Sequence, residues 1–410
     1  MTRGRTLPPE ASVAFDRRTG ATIRQVTDDR SVTHHPYFFN PPTDAAGDWL
    51  VVVSHRTGTP EVYGEDRSGG GGGGTDAPGG GGGAPGGGGT GGNGVGGELV
   101  QFTDDDVDEW SVVPGPDGDA VFVTAGGRAC RVDTDTCETA VLVDFPAALD
   151  LPPGVAAADV STGGATGLDP AGERWAVPVS VGEEHWLTIV DTASGAFDVV
   201  LRRDVAVQPQ FCPDDPDLLF HAGPLTDRVW VLDLPAALAE GPVDAAHPAD
   251  RRLYERKEGE WITHESWLPG RREVAFVDWP NGVRARHVDT GVERRVTDCN
   301  AWHAVASPDG DLMVADTNFP RNGLQLFDPR DGVAKTRTLC YPAASSIGEH
   351  WDGPFPYADG PIETYSPQHT HPHPAFTPEG ETVVYTSDRS GFANVYEVAV
   401  PERTPTAPGR

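Results

Sequence analysis

Ser307-Pro308-Asp309-Gly310 running into Leu312-Met313-Val314, and Thr377-Pro378-Glu379-Gly380 running into Val383-Val384-Tyr385-Thr386, are two copies of one unit. Each is a tight turn built on proline and glycine, followed by a short strand of apolar and β-branched residues. Weaker copies begin at Gly47-Asp48, Pro116-Asp117-Gly118, Asp169-Pro170, Pro213-Asp214 and Pro269-Gly270, which makes seven. Their spacing lies in or above the range of propeller blades. Helix signals are confined to 146–157 and 235–240, each enough for a turn or two. The pattern predicts an all-β chain, a seven-bladed β-propeller with 1–410 as a single domain.

The widest early gap between copies holds 68–97, nearly all glycine, and without it the spacing falls to an ordinary blade length. Glu98-Leu99-Val100-Gln101 reads as the outer strand of the blade opened at Trp49-Leu50-Val51. The insert is therefore expected as a disordered loop inside the first blade rather than a linker between domains.

Acidic residues number 62 against 31 basic ones, a formal charge of −31, and the only lysines are Lys257 and Lys335. With 37% hydrophobic residues and ten tryptophans the chain can bury a core, so the acid reads as a solvated surface and not as a disordered tail. Such surfaces suit concentrated salt, where the Debye length shrinks to roughly 3 Å and self-repulsion disappears. Nucleic acid is not an expected partner, because phosphate binding needs a basic stripe. The five cysteines are odd in number and lack a C-x-x-C pair, so neither a disulfide framework nor a structural zinc site is expected. Residues 1–20 hold no signal-like apolar core and no 18-residue apolar run occurs, so the expectation is a soluble, cytoplasmic protein off the membrane.

Gln368-His369-Thr370-His371-Pro372-His373-Pro374 gathers three of the 13 histidines within five residues. Prolines push the residues before them into extended geometry, and alternate residues of an extended chain share a face. Taken alone, the run is either an exposed histidine-rich loop or one face of a metal site. The repeat register weighs on this. His264, His303 and His373 each stand five residues before a turn proline, in the fifth, sixth and seventh copies, and Gln208 holds the same position in the fourth. Equivalent positions of propeller blades form a ring about the channel. Any one of these histidines could simply cap a strand end; the set points to a polar site at one mouth. Imidazole and amide donors suit Mn, Fe, Ni or Zn, and with no obvious carboxylate in the cluster a calcium cage is disfavoured. His34, His35 and His221 read as rim residues, while His55, His185, His247 and His287 read as surface or strand positions.

The chain resembles the oligogalacturonate lyases, seven-bladed propeller lyases that degrade short pectin fragments. The resemblance runs through Asp16-Arg17-Arg18-Thr19-Gly20, Arg24-Gln25-Val26-Thr27, Tyr37-Phe38-Phe39, Phe220-His221-Ala222-Gly223-Pro224 and Arg228-Val229-Trp230. It continues in Thr263-His264-Glu265, in His303 before its Pro-Asp-Gly turn, and most specifically in the run from Gln368 to Pro374. Tyr385-Thr386-Ser387-Asp388-Arg389-Ser390-Gly391 is shared with many propellers, including the Tol-associated translocation type. The resemblance implies a divalent manganese held by His303, Gln368, His371 and His373, with His264 as base and Arg228 meeting the substrate carboxylate. Two departures stand out: the glycine insert, and Ala222 where an acidic residue is expected.

The implied chemistry is β-elimination from a 4-linked uronide. The C5 proton lies α to a carboxylate, so its removal builds up negative charge that a divalent cation and Arg228 would offset. A neutral His264, with a pKa of about 6–7, would serve as the base. Two alternatives remain open on sequence: a non-enzymatic binding or scaffold propeller of the translocation type, and a lyase for another uronide.

Overall fold

The computed structural model describes residues 3–69, 96–317, 320–330, 332–345 and 370–402. The turn units set its geometry. In one, Ser307 N–H donates to the Leu312 carbonyl and Gly310 N–H to the Ser307 carbonyl, both at 2.8 Å. Thr377 and Gly380 repeat the pair with Thr382 at 3.0 and 2.8 Å, and Asp169 and Gly172 repeat it with Arg174. Closing so tight a turn needs a left-handed residue at its last position, and Gly310, Gly380 and Gly172 supply it at φ +68°, +72° and +70°.

Seven sheets follow in chain order, each with its innermost strand running into a turn unit. Blade 1 contains Thr33–His34, Trp49–Ser54, Glu61–Asp66 and Leu99–Gln101, and blade 2 contains Val113–Pro114, Ala120–Ala125, Arg128–Asp133 and Thr139–Asp144. Blade 3 is built on Arg174–Val181, Glu184–Asp191 and Phe197–Arg203, and blade 4 on Val207–Cys212, Asp215–Ala222, Val229–Asp233 and Asp250–Tyr254. Blade 5 holds Trp261–Leu268, Glu273–Trp279, Gly282–His287 and Glu293–Thr297; blade 6 holds Ala301–Ala306, Met313–Thr317, Leu324–Phe327 and Arg337–Cys340. Blade 7 joins Ala375–Phe376, Thr382–Ser387 and Asn394–Ala399 to two strands from the other end of the sequence, Thr22–Gln25 and Ser12–Phe15. The seven-bladed propeller expected from the repeat is what the chain forms.

The helical signals become Phe145–Ala148, Ala157–Asp159 and Leu234–Glu240. Asp144 and Asp233 cap the first and last by accepting from Ala147 and Ala236 N–H, with a proline in each first turn. In blade 1, Leu99–Gln101 is the fourth strand and Thr6–Leu7 adds a fifth outside it. The strands flanking the glycine-rich stretch therefore belong to one sheet, while 70–95 of that stretch lie outside the described residues.

Apolar packing closes the ring. Seven buried clusters each join two consecutive blades, from Val51, Val121 and Val132 between blades 1 and 2 to Val26, Val52 and Val384 between blades 7 and 1. Fully burying one such side chain is worth about 1.5–3 kcal/mol, so every seam contributes many times the strength of a single hydrogen bond. An eighth cluster, Tyr37, Phe38 and Ala165, lies in the channel itself. Below it a cavity of about 430 Å³ is lined by Phe38, Phe211, Trp267, Phe376 and the turn prolines Pro213 and Pro308. The Tyr37–Phe39 segment thus separates an apolar channel at the turn end from whatever lies at the opposite mouth.

Candidate active site

The inner strands of blades 4, 5 and 6 each carry one extra residue, between Val207 and Gln210, Thr263 and Ser266, and Ala301 and Ala304. Such a bulge frees residues from the ladder and re-aims their side chains. Gln208 and His264 adopt left-handed backbone in two of these bulges, at φ 55° and 49°, and His373 does so just before the innermost strand of blade 7, at φ 45°. For residues other than glycine this costs about 1–3 kcal/mol each and persists where the surroundings enforce it. The count of five residues before the turn proline marked Gln208, His264 and His303 in these bulges and His373 at the equivalent place in blade 7.

His303, His371 and His373 converge at this mouth. One ring nitrogen from each lies within 4.8 Å of the others, and all three residues are buried. Asp316, on the second strand of blade 6, organises them. Its Oδ1 accepts the His303 backbone N–H at 2.6 Å, and its Oδ2 lies 3.0 Å from His303 Nδ1 and 3.4 Å from the His373 N–H. His373 Nδ1 is 2.9 Å from the His371 carbonyl. Carboxylate and carbonyl oxygens accept, so both Nδ1 atoms carry the proton in the neutral rings and Nε2 presents the lone pair. Both Nε2 atoms are buried without a hydrogen-bond partner among the described residues. Burial, reinforced by the neighbouring His303 and His371, pushes the His373 pKa well down. Burial would raise the Asp316 carboxyl, but the His303 ring and its bonds outweigh that and hold it below its usual range.

His264 stands beside the cluster, its ring centroid 4.0 Å from that of His303 and 4.8 Å from Trp302. Its Nδ1 has no hydrogen-bond partner among the described residues. Burial depresses its pKa well below the ordinary imidazole value, helped by His303 and Arg228. The expectation of an ordinary titration near 6–7 is corrected accordingly: His264 is neutral over a wider acid range. Arg228 Nε donates to Glu265 Oε1 at 3.1 Å, and its Nη2 to Gln208 Oε1 at 2.8 Å. Gln208 Nε2 in turn donates to the Tyr37 hydroxyl at 3.2 Å. Burial raises the Glu265 pKa against the lowering effect of Arg228. Phe38 forms the floor, with ring centroids 5.2 Å from His303 and 6.1 Å from His264, and Trp110 and Tyr37 stand 5.5 and 5.7 Å from His373.

The structure brings together His264, Arg228, His303, His371 and His373; Gln368, the remaining expected ligand, lies outside the described residues. The reading that no carboxylate sits in the cluster needs correction, since Asp316 and Glu265 are buried within it, one behind His303 and one behind Arg228. His221 is no rim residue: it is fully buried, 2.8 Å from Asp250, which also binds Arg203. Ala222 packs in the apolar seam between blades 4 and 5. Asp316 carried one signal, a lone acid in the apolar strand Met313–Thr317, opposite the bulge of its own blade.

With this geometry in place, the comparison with known proteins is direct. Residues 243–404 match the oligogalacturonate lyase family model. That span holds His264, His303, His371 and His373, while Arg228 precedes it. The resemblance read from the motifs is borne out. An oligogalacturonate lyase of Dickeya dadantii (strain 3937) is 27% identical over 228 residues, covering 52% of this chain and 55% of the relative. The alignable part thus spans about half the length of the curated relatives. Two solved structures share the fold over 98% of this chain and 99% of theirs. One is an oligogalacturonate lyase in complex with manganese (TM-score 0.74, 20% identity); the other is the oligogalacturonate lyase of Vibrio parahaemolyticus (0.71, 19%). Among the described residues no helix is long and apolar enough to cross a membrane.

Proposed function

We propose that this chain is a metal-dependent oligogalacturonate lyase cleaving short 4-linked galacturonides by β-elimination. The observation that carries the reading is three buried histidine nitrogens within 4.8 Å of one another, beside a neutral His264. Two of these rings have their protons fixed on Nδ1 and an Nε2 lone pair directed into a buried space, which is the arrangement of a ligand set. Neutral imidazoles suit a divalent first-row ion such as Mn²⁺, the ion present in one of the similar lyase structures. His303, His371 and His373 would hold it, with Gln368 as the fourth donor on the strength of the family resemblance. Such an ion, when bound, supplies Lewis-acid polarisation of the uronate carboxylate, which acidifies the C5 proton.

The remaining chemistry belongs to this chain's own side chains. His264 accepts the C5 proton; the C–H electron pair becomes the C4=C5 double bond as the C4–O bond breaks, and the leaving oxygen takes up a proton from water. Base catalysis of this kind is worth about 10²–10⁴-fold. Arg228, held in one orientation by Glu265 and Gln208, offsets the charge that develops on the carboxylate. Phe38 and Trp302 keep water from one side of the base. His264→Ala is expected to keep its metal content and lose about 10²-fold or more of the near-ultraviolet absorbance rise on di- or trigalacturonate. Unchanged turnover in that variant would remove His264 as base. A non-enzymatic propeller would instead show no stoichiometric metal and no response to His371→Ala.

A further inference from the structure

A second histidine cluster lies beside Trp110, whose ring also contacts His373. His34 ends the innermost strand of blade 1, His55 follows the next strand, and Glu109 belongs to Asp104-Asp105-Asp106-Val107-Asp108-Glu109-Trp110, the loop leading to blade 2. His55 Nε2 is 2.8 Å from Glu109 Oε2, and His34 Nε2 is 3.6 Å from the same oxygen. One nitrogen of each histidine and one carboxylate oxygen fall within 4.8 Å of one another.

The tautomer of His34 gives this cluster its chemistry. His34 Nδ1 lies 3.0 Å from the His35 carbonyl, which only accepts, so the neutral ring carries its proton there. The Nε2 lone pair then faces a carboxylate oxygen, a contact favourable only with positive charge between them. The ring plane is fixed by stacking on Trp110 at 4.3 Å. A ligand imidazole whose other nitrogen donates to a backbone carbonyl is the usual second contact of metal-bound histidine. The His34 side chain is 1% exposed, against 26% for His55 and 24% for Glu109, so the cluster has one buried wall and one open side. Asp108 is not part of it, being bonded to Thr124 and Thr162. The neighbouring acids Asp104, Asp105 and Asp106 raise the local concentration of cations.

We propose that His34, His55 and Glu109 form a second divalent transition-metal site, distinct from the His303 cluster and suited to Zn²⁺. Two imidazoles and one carboxylate are the three protein ligands of an open tetrahedral zinc site, and a single carboxylate oxygen is too few for calcium. The bound ion would tie blade 1 to the loop entering blade 2 and stiffen Trp110, which walls the first site.

The test is Zn²⁺ titration of the metal-stripped full chain in a His303→Ala background, which disables the first cluster. One equivalent is expected to remain, and adding His55→Ala or Glu109→Gln should abolish it. The same two substitutions in an otherwise unaltered chain should remove one equivalent and leave galacturonide turnover measurable. Absence of Zn²⁺ binding in the His303→Ala chain, or binding that survives both substitutions, overturns the site. Glu109→Gln is close to isosteric and partly exposed, so it decides the matter even should His55→Ala fold poorly.

Discussion

His303 Nδ1 sits 3.0 Å from Asp316 Oδ2, while the His303 backbone N–H donates to the other oxygen of that carboxylate. One buried acid therefore fixes both the tautomer of the ring and the bulge that carries it. Substitution of such a partner typically weakens metal binding about 10–100-fold. Asp316→Asn is expected to bind Mn²⁺ weaker by that factor while retaining the native circular dichroism spectrum. Unchanged affinity by calorimetry would detach Asp316 from the site.

The depressed pKa of His264 has a consequence for the pH profile. Burial disfavours the imidazolium, so the base form persists as pH falls below 6.5 and is lost only below its lowered pKa. A bound cation pushes in the same direction. The acid limb of kcat/KM is expected well below pH 6.5, and a limb at or above that value would contradict the assignment of His264 as base.

Closure of the ring can be probed at its junction. Ile23 is 1% exposed and lies on the strand that pairs with Asn394–Ala399, packed in the seam of blades 6 and 7. Ile23→Ala should cost about 2–5 kcal/mol in denaturant unfolding. Val13, on the outermost strand of the same sheet, is 45% exposed, and Val13→Ala should stay within about 0.5 kcal/mol. Equal effects would mean that the outer strand, too, is structurally committed.

The charge of −31 predicts a salt response. Self-repulsion among surface carboxylates is screened as ionic strength rises, and so is repulsion of a polyanionic substrate. The melting temperature should climb between dilute buffer and molar KCl, and KM for trigalacturonate should fall over the first part of that range. A flat melting curve series would show that the acidic surface exerts no net strain.

Much of this architecture could be read from the residues because its determinants are local. Pro308-Asp309-Gly310 specifies its turn within a few residues, and repetition of the unit counts the blades. The register then placed His264, His303 and His373 at one mouth without any knowledge of side-chain contacts. Other features depend on pairings that no local pattern encodes. Gln25 pairs with Tyr396 across almost the whole chain, and Arg24 reaches Glu397 beside it. Asp316 gains its role only when its strand lies opposite the Trp302-His303 bulge. The left-handed backbone of Gln208 and His264 runs against the preference of those residue types, so propensity points away from it. Glu265 reads as an ordinary acid until Arg228, on another blade, is placed against it.

The sheet shared by Thr22–Gln25 and Asn394–Ala399 sets an order of events during synthesis. Blades 2 to 6 can each collapse on neighbours already made, yet residues 22–25 must wait for almost the whole polypeptide to emerge before finding their partners. His371 and His373 arrive with that last segment, next to His303. Assembly of the three imidazoles therefore belongs to the last stage of synthesis, and a chain ending before residue 371 would carry only one of them.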